Sequence, residues 1–540
     1  MRYRLALCLI WCAIFNLGGC TQPSTSVHPR NGGSTVHGIV RYVLAGDVNT
    51  LNPTLGGLAL ENTVTEAIFD GLVKLNDRDD VAPDLALAVP RRSNGGISKD
   101  GRTLTYHLRH GVVWHDGQPF SSADVAFTYA TITNPHTNAP NVSAYRQVEW
   151  LATPDPYTVV VRLKSPSAPA VGQLFCNGEN GQIIPKHLLE NSADFNRDAF
   201  GLHPVGTGPM QFDRWEHGSR IVLKSNPHYF AGAPHIRELQ LLVVPDANTR
   251  LTMATAKEAD VVGIAPNDLD RVKTLTGYTV MEAQGFTEVY LTFNVTRTPF
   301  DDVRVRRALM MALDRKRIVE NSLRGTATLA NSLMPPYHWA YVKDNGVLPF
   351  DPAAAGALLK QAGWTPGPDG IRRNGERPLA FTLISYSGSA TRSALAQQIQ
   401  IGWRAAGADV SLRLSPANVL LGTTGLLTTG KFDASLDGFT FDPDPDRAYL
   451  IGRRFFPPRG FNASRYQNAR ADELSDKAMA SYEASARAPL YFDLQRLLNR
   501  DVPMIPLAWP KSLYLVNADL RGFKPEPVNS DFWNVQDWQI

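Results

Sequence analysis

The segment Leu436-Asp437-Gly438-Phe439-Thr440-Phe441-Asp442-Pro443-Asp444-Pro445-Asp446 carries the most suggestive chemistry in the chain. Aspartates at 442, 444 and 446 imitate the first ligands of a calcium loop. The sixth position is Arg447, where that loop needs Gly, and the twelfth is Arg453, where it needs Glu, so an EF-hand is excluded. What remains is an apolar strand, 432–439, ending in a stiff acidic turn. A carboxylate beside an aromatic at a strand end suits a cationic amine. The charged hydrogen bond supplies about 1.5–3 kcal/mol and the ring covers the ligand. The same residues also suit Asx turns and a helix cap, with each Asp solvated. Residue chemistry alone leaves both readings open.

Catalytic patterns are absent elsewhere. There is no H-E-x-x-H, G-x-S-x-G or G-x-x-x-x-G-K-[ST]. Gly206-Thr207-Gly208-Pro209 reads as a turn into a strand, because no helical pattern opens after it. Gly388-Ser389-Ala390-Thr391 lacks the second Gly of a nucleophile elbow. His107, His110 and His115 are close in sequence, but a Gly-containing turn separates the outer two, so zinc is not expected. No catalytic group, metal or cofactor is assigned.

The elements that must position the acidic turn are α/β. Alternation marks strands at Leu104/Tyr106/Leu108, Val159/Val161/Leu163, Val289/Leu291/Phe293 and Val410/Leu412/Leu414. Val305, Leu309, Ala312 and Leu313 line a helix. Asp301 and Asp302 stand at its start, and Arg315, Lys316 and Arg317 are placed at its end, as the helix dipole prefers. Leu395, Ile399 and Trp403 mark a helix over 393–406 that stops at Gly407. Asp351-Pro352 opens another helix, ending near Gly363, and Leu490, Leu494, Leu497 and Leu498 mark a late one. Ser121 with Asp124 fits a capping box. Mixed sheets covered by helices follow.

The balance of 54 Lys+Arg against 51 Asp+Glu gives a formal charge of +3, which argues against a nucleic-acid binder. Four Cys in 540 residues exclude a disulfide scaffold. Arg2 and Arg4 precede an apolar run, 5–15, that is too short to span a bilayer. Leu17-Gly18-Gly19-Cys20 then resembles the lipobox of bacterial lipoproteins. It implies a signal peptide over 1–19, lipidation of Cys20 and attachment to a membrane. The Ser/Thr/Pro/Gly-rich stretch 20–36 reads as a flexible tether. Cys176 is then the one unmodified thiol, expected as a small buried hydrophobe.

Ordered landmarks run through the rest of the chain. Leu51-Asn52-Pro53 is followed by Ile68-Phe69-Asp70-Gly71-Leu72-Val73, Pro83-Asp84-Leu85-Ala86 and the stretch His107 to Ala130. Gly206-Thr207-Gly208-Pro209, Asn226-Pro227-His228-Tyr229-Phe230, Pro245 to Arg250, Phe293-Asn294 and Phe300 to Arg315 come next. In these the chain resembles bacterial extracellular solute-binding protein family 5, the oligopeptide-, dipeptide- and nickel-binding receptors of ABC importers. The resemblance runs from about Arg41 to the C-terminus.

The resemblance implies a two-lobed, periplasmic-binding-protein-like fold of type II, in the large form with an extra α/β subdomain. The ligand cleft lies between the lobes. Lobe I would comprise 37–66, 205–288 and the tail 508–540, with the extra subdomain at 67–204, and lobe II would comprise 289–507. It also implies a monomeric receptor that delivers peptide or another small solute to an ABC permease, without nucleic acid. In peptide-binding members an Asp soon after a Gly-aromatic pair anchors the ligand's α-ammonium. Gly438, Phe439 and Asp442 match, with Phe439 in place of the usual Trp. Dipeptide binders carry an Arg before the helix matching 393–406, where this chain has Tyr386, with Arg392 nearby. Tyr386, Tyr449 and Trp509 are candidate cleft aromatics, with core packing as the alternative. The rival class is a secreted lipoprotein hydrolase acting on peptides or envelope polymers, which lacks a visible nucleophile–base pair or metal motif.

Overall fold

The computed structural model describes residues 35–78, 80–177, 181–525 and 531–540. The expected signal peptide, Cys20 and most of the expected tether lie outside the described residues.

Two mixed sheets organise the chain. The first has seven strands in the order Tyr278–Ala283, Ser512–Asn517, Val261–Gly263, Ile39–Leu44, Glu238–Val243, Arg220–Ser225 and Met210–Glu216. Ile39–Leu44 runs parallel to Glu238–Val243, with Tyr42 opposite Leu241. The second has six strands in the order Ala327–Leu329, Met504–Pro510, Thr287–Phe293, Ala434–Thr440, Ala380–Tyr386 and Asp409–Ser415. Between the first strand of the chain and Met210, two small sheets build a separate core around Leu104, Tyr106, Trp114, Val159 and Val161. The four strands expected from alternation all form.

The chain passes between the large sheets twice, through 284–286 and at Lys511. These crossings touch. A Cβ built on Gly285 would stand 2.3 Å from the Pro510 carbonyl oxygen, so only Gly lets the two backbones approach there. Lys511 Nζ pairs with Glu282 Oε2 at 2.7 Å beside them.

In the second lobe, alternate residues of each strand enter different cores. Leu291, Phe293, Leu436 and Ile505 pack on one sheet face against Trp403 and Leu309. Trp403 is fully buried, and its Nε1 donates to the Leu309 carbonyl at 2.9 Å. Each such side chain contributes about 1.5–3 kcal/mol by leaving water. Tyr290, Phe439, Met504 and Trp509 pack on the opposite face.

Local signals explain most helix ends. Ser121 and Asp124 form the expected capping box of Ser122–Thr133. Asp351 caps Pro352–Gln361, and Gly407 follows Ala390–Ala405 at φ +90°. One expectation is corrected. Arg315, Lys316 and Arg317 do not end the helix begun by Asp302, which stops at Met311. They open the next helix, Arg315–Leu323, because Asp314 accepts from Arg317 N at 3.1 Å as its cap. Charge placement at a helix start is unfavourable, but Arg315 turns inward. Its guanidinium donates to the carbonyls of Ala330 and Pro506 at 2.7 and 2.9 Å.

The Gly206–Pro209 turn is structural. A Cβ on Gly206 would lie 1.8 Å from the Ile68 carbonyl oxygen. His115 locks this turn: Nδ1 accepts from Gly206 N at 3.2 Å and Nε2 donates to Gly208 O at 3.0 Å. Burial pushes the His115 pKa down to about 4, which keeps the ring neutral for that pair of bonds. Cys176 is a buried free thiol.

Candidate ligand-binding site

The strand Ala434–Thr440 delivers Phe441 and the acidic turn to the boundary between the lobes. Phe441 N donates to Phe286 O at 3.1 Å, and the Phe441 ring is fully buried. The Arg447 guanidinium sits 4.0 Å from the centroid of that ring and donates to the carbonyls of Asp444 and Asp446 at 2.7 and 3.0 Å. His338 Nε2 donates to Pro443 O at 2.9 Å. Burial and the nearby Arg447 charge lower the His338 pKa to about 4, so it acts as a neutral donor. These contacts hold the turn without using its carboxylates.

The three aspartates are treated differently. Asp444 accepts a two-pronged hydrogen bond from Arg487, at 2.8 and 2.7 Å. Asp446 Oδ1 accepts from Ala448 N at 3.0 Å, as an Asx turn opening a short helix. Asp442 accepts one hydrogen bond among the described residues, from Gln173 Nε2 at 3.3 Å. Gln173 ends the helix Ala170–Gln173 and belongs to the segment before the first large sheet resumes. Burial raises the Asp442 pKa above the usual carboxylate range.

Asp442 and Gln173 line a cavity of about 280 Å³ between the two lobes, with Arg91, Trp339, Tyr482 and Arg487. Beside it the lobes touch. Ala168 N donates to Met479 O at 2.8 Å, and Tyr482 OH donates to Gly101 O at 2.7 Å. Trp339 is 42% exposed, so a large ring is available to a ligand at this boundary.

The other candidates do not join Asp442. Gly438, Phe439 and Tyr386 line a second cavity of about 300 Å³, inside the second lobe. Arg392 lies over the Tyr386 ring at 5.1 Å. Tyr449 packs against Phe439 in a tilted arrangement, with 5.5 Å between centroids. Trp509 is buried to 1% exposure and packs against Phe441, so it supports the turn from behind. Sequence reasoning did not single out Gln173, Trp339 or Arg487. No local signal marks Gln173 or Arg487. Trp339 follows Pro335-Pro336-Tyr337-His338, a turn-rich stretch that exposes its neighbour. Among the described residues, no group of three His, Cys, Asp or Glu could hold a metal, and no helix is long and apolar enough to cross a membrane.

The two lobes, the double crossing and the cavity at their boundary define the architecture of a two-lobed binding protein. A model of "Bacterial extracellular solute-binding proteins, family 5 Middle" matches residues 80–455, and the chain belongs to that family. It is 31% identical to Protein XP55 of Streptomyces lividans, over 89% of this chain and 85% of that protein. It is 26% identical to the oligopeptide-binding protein AppA of Bacillus subtilis, over 99% of this chain and 97% of that one. The structure of AppA in complex with a nonapeptide superposes with a TM-score of 0.75 at 25% identity, covering 93% of this chain and 98% of that one. Campylobacter jejuni NikZ in complex with Ni(L-His) superposes with a TM-score of 0.79 at 25% identity, covering 94% of this chain and 100% of that one.

Proposed function

We propose that the chain is a lipid-anchored extracytoplasmic receptor. It captures peptides by closure of two lobes and passes them unchanged to an ABC import permease. The carrying observation is the unequal treatment of the acidic turn: Asp444 and Asp446 are satisfied by the protein, whereas Asp442 faces the interlobe cavity with one long hydrogen bond. A ligand ammonium there would replace the Gln173 contact by a stronger, charge-assisted one. The nonapeptide held by AppA supports peptide as the ligand class.

The reading divides the chain into lobe I at 37–66, 205–288 and 508–540, a subdomain at 67–204, and lobe II at 289–507. What supports it is the membership of the two large sheets and the two crossings between them. Hinge closure requires that the ligand contact both lobes, since only differential contacts stabilise the closed form. By the family resemblance, a dipeptide binder would pair the ligand carboxylate with an Arg where this chain has Tyr386, with Arg392 nearby. With Arg392 resting on the Tyr386 ring, longer peptides fit this reading better than dipeptides. Lipidation of Cys20 would hold the receptor at the membrane beside its permease.

The test is calorimetry with a peptide and its N-acetylated form. The free α-amine is expected to bind at least tenfold tighter, about 1.4 kcal/mol. Equal affinity would remove the ammonium anchor, and turnover of the peptide would replace the receptor by a hydrolase. Replacing Cys20 by Ser is expected to release the protein from membranes.

A further inference from the structure

The cavity inside the second lobe holds an acidic group that the peptide anchor does not use. Its walls are mainly aromatic and apolar: Tyr290, Tyr386, Phe439, Phe461 and Met504. Leu421 and Phe461 also line it and are 52% and 54% exposed, so two apolar side chains stand in water beside one opening. Apolar walls with few polar groups are the composition of a ligand pocket.

Asp437 lines the same cavity and is only 6% exposed. It lies two residues from Phe439 on one strand, so both side chains leave the same sheet face. Tyr290 is its partner across the sheet. Ser435 Oγ donates to Asp437 Oδ2 at 2.5 Å and the Thr292 hydroxyl, which lines the same cavity, also acts on the carboxyl, but Oδ1 has no partner within hydrogen-bond distance. Arg392 is near enough to act on the carboxyl by its charge, yet it is held elsewhere, over the Tyr386 ring and within 3.5 Å of Leu436 O. A buried carboxyl oxygen without a donor is costly unless something supplies one.

We propose that this cavity takes the side chain of a lysine-like residue of the ligand. Its ammonium meets Asp437 Oδ1, and its alkyl stem lies among Tyr290, Tyr386 and Phe439. Ring faces attract a cation, and the desolvated carboxyl gives it a charge-assisted hydrogen bond. A neutral apolar chain of equal length would fill the space and leave Oδ1 unpaired. The proposal rests on the peptide-receptor reading and makes Asp437 a specificity-determining residue, separate from Asp442.

The experiment uses the lipid-free mature chain and six tripeptides. Lysine is placed at each position of an alanine tripeptide, and norleucine, which lacks the ammonium, is placed likewise. Calorimetry on the wild-type protein is expected to show at least a tenfold lysine-over-norleucine preference at one position. Asp437→Asn should reduce that ratio below twofold by weakening the lysine peptide. Asp442→Asn should weaken all six and keep the ratio. No lysine preference at any position, or a preference that survives in Asp437→Asn, overturns the proposal. The wild-type ratio decides even if the variant does not fold. If no tripeptide binds, the cavity is judged apart from the peptide reading, by melting temperature with millimolar n-butylammonium against n-butanol. A rise with the amine alone, absent in Asp437→Asn, supports the cation pocket. Equal shifts or none overturn it.

Discussion

Gln173 Nε2 donates to Asp442 Oδ2 at 3.3 Å, from a short helix before the first large sheet resumes to the end of a strand in the second lobe. This is a weak bond in a costly place. A neutral amide holds a half-buried carboxyl, and under the proposed function a ligand cation would satisfy it better.

Asp442→Asn is therefore expected to raise the peptide Kd at least tenfold, about 1.4 kcal/mol, read by calorimetry. Gln173→Ala should change it less than threefold, because a ligand ammonium does not need the amide. A larger loss in Gln173→Ala than in Asp442→Asn would reverse their roles.

Arg487 and Asp444 form a pair with side chains only 6% and 17% exposed. Removing one partner of such a pair leaves an uncompensated charge in the interior. Arg487→Met should lower unfolding free energy by about 3–5 kcal/mol in urea titration. Adding Asp444→Asn to it should restore part of the loss. A single-variant loss under about 1 kcal/mol would show that the pair is effectively solvated.

Gly285 allows the two crossings to touch. Gly285→Ala should push Pro510 away, cost about 1–3 kcal/mol and reduce ligand-induced compaction. X-ray scattering with and without peptide checks this. Unchanged compaction would mean that closure does not pass through this contact.

Asp531 is buried and accepts hydrogen bonds from Tyr42 and from Tyr514, the latter at 2.9 Å. Burial pushes its pKa up to about 6. The folded protein thus holds a proton that the unfolded chain has released, so this group's contribution to stability falls as pH rises from about 4 to 6. The total is at most about 3 kcal/mol. Asp531→Asn should flatten that part of a urea-midpoint profile measured from pH 4 to 7. An identical slope in the variant would show that other groups set it.

Much of the architecture was legible locally. Strands such as Thr287–Phe293 and Asp409–Ser415 show in period-two alternation, since one sheet face meets a core and the other a different surface. Ser121, Asp351 and Gly407 announce helix ends because caps are made by neighbours in sequence. The basic trio misled because charge near a helix end is a weaker signal than Asp314 acting as a cap.

The chain's order of landmarks determined its family, and its short-range patterns determined the strands, most helices and the acidic turn. Tertiary structure alone decided which aspartate keeps only one long hydrogen bond. Asp442, Asp444 and Asp446 look alike in sequence, and the difference comes from Arg487, which arrives from a distant helix to occupy Asp444. It also decided that Asp442 and Phe439 face different cavities. Hydrogen bonds and burial depend on which distant segments meet, and composition or spacing along one strand does not specify that meeting.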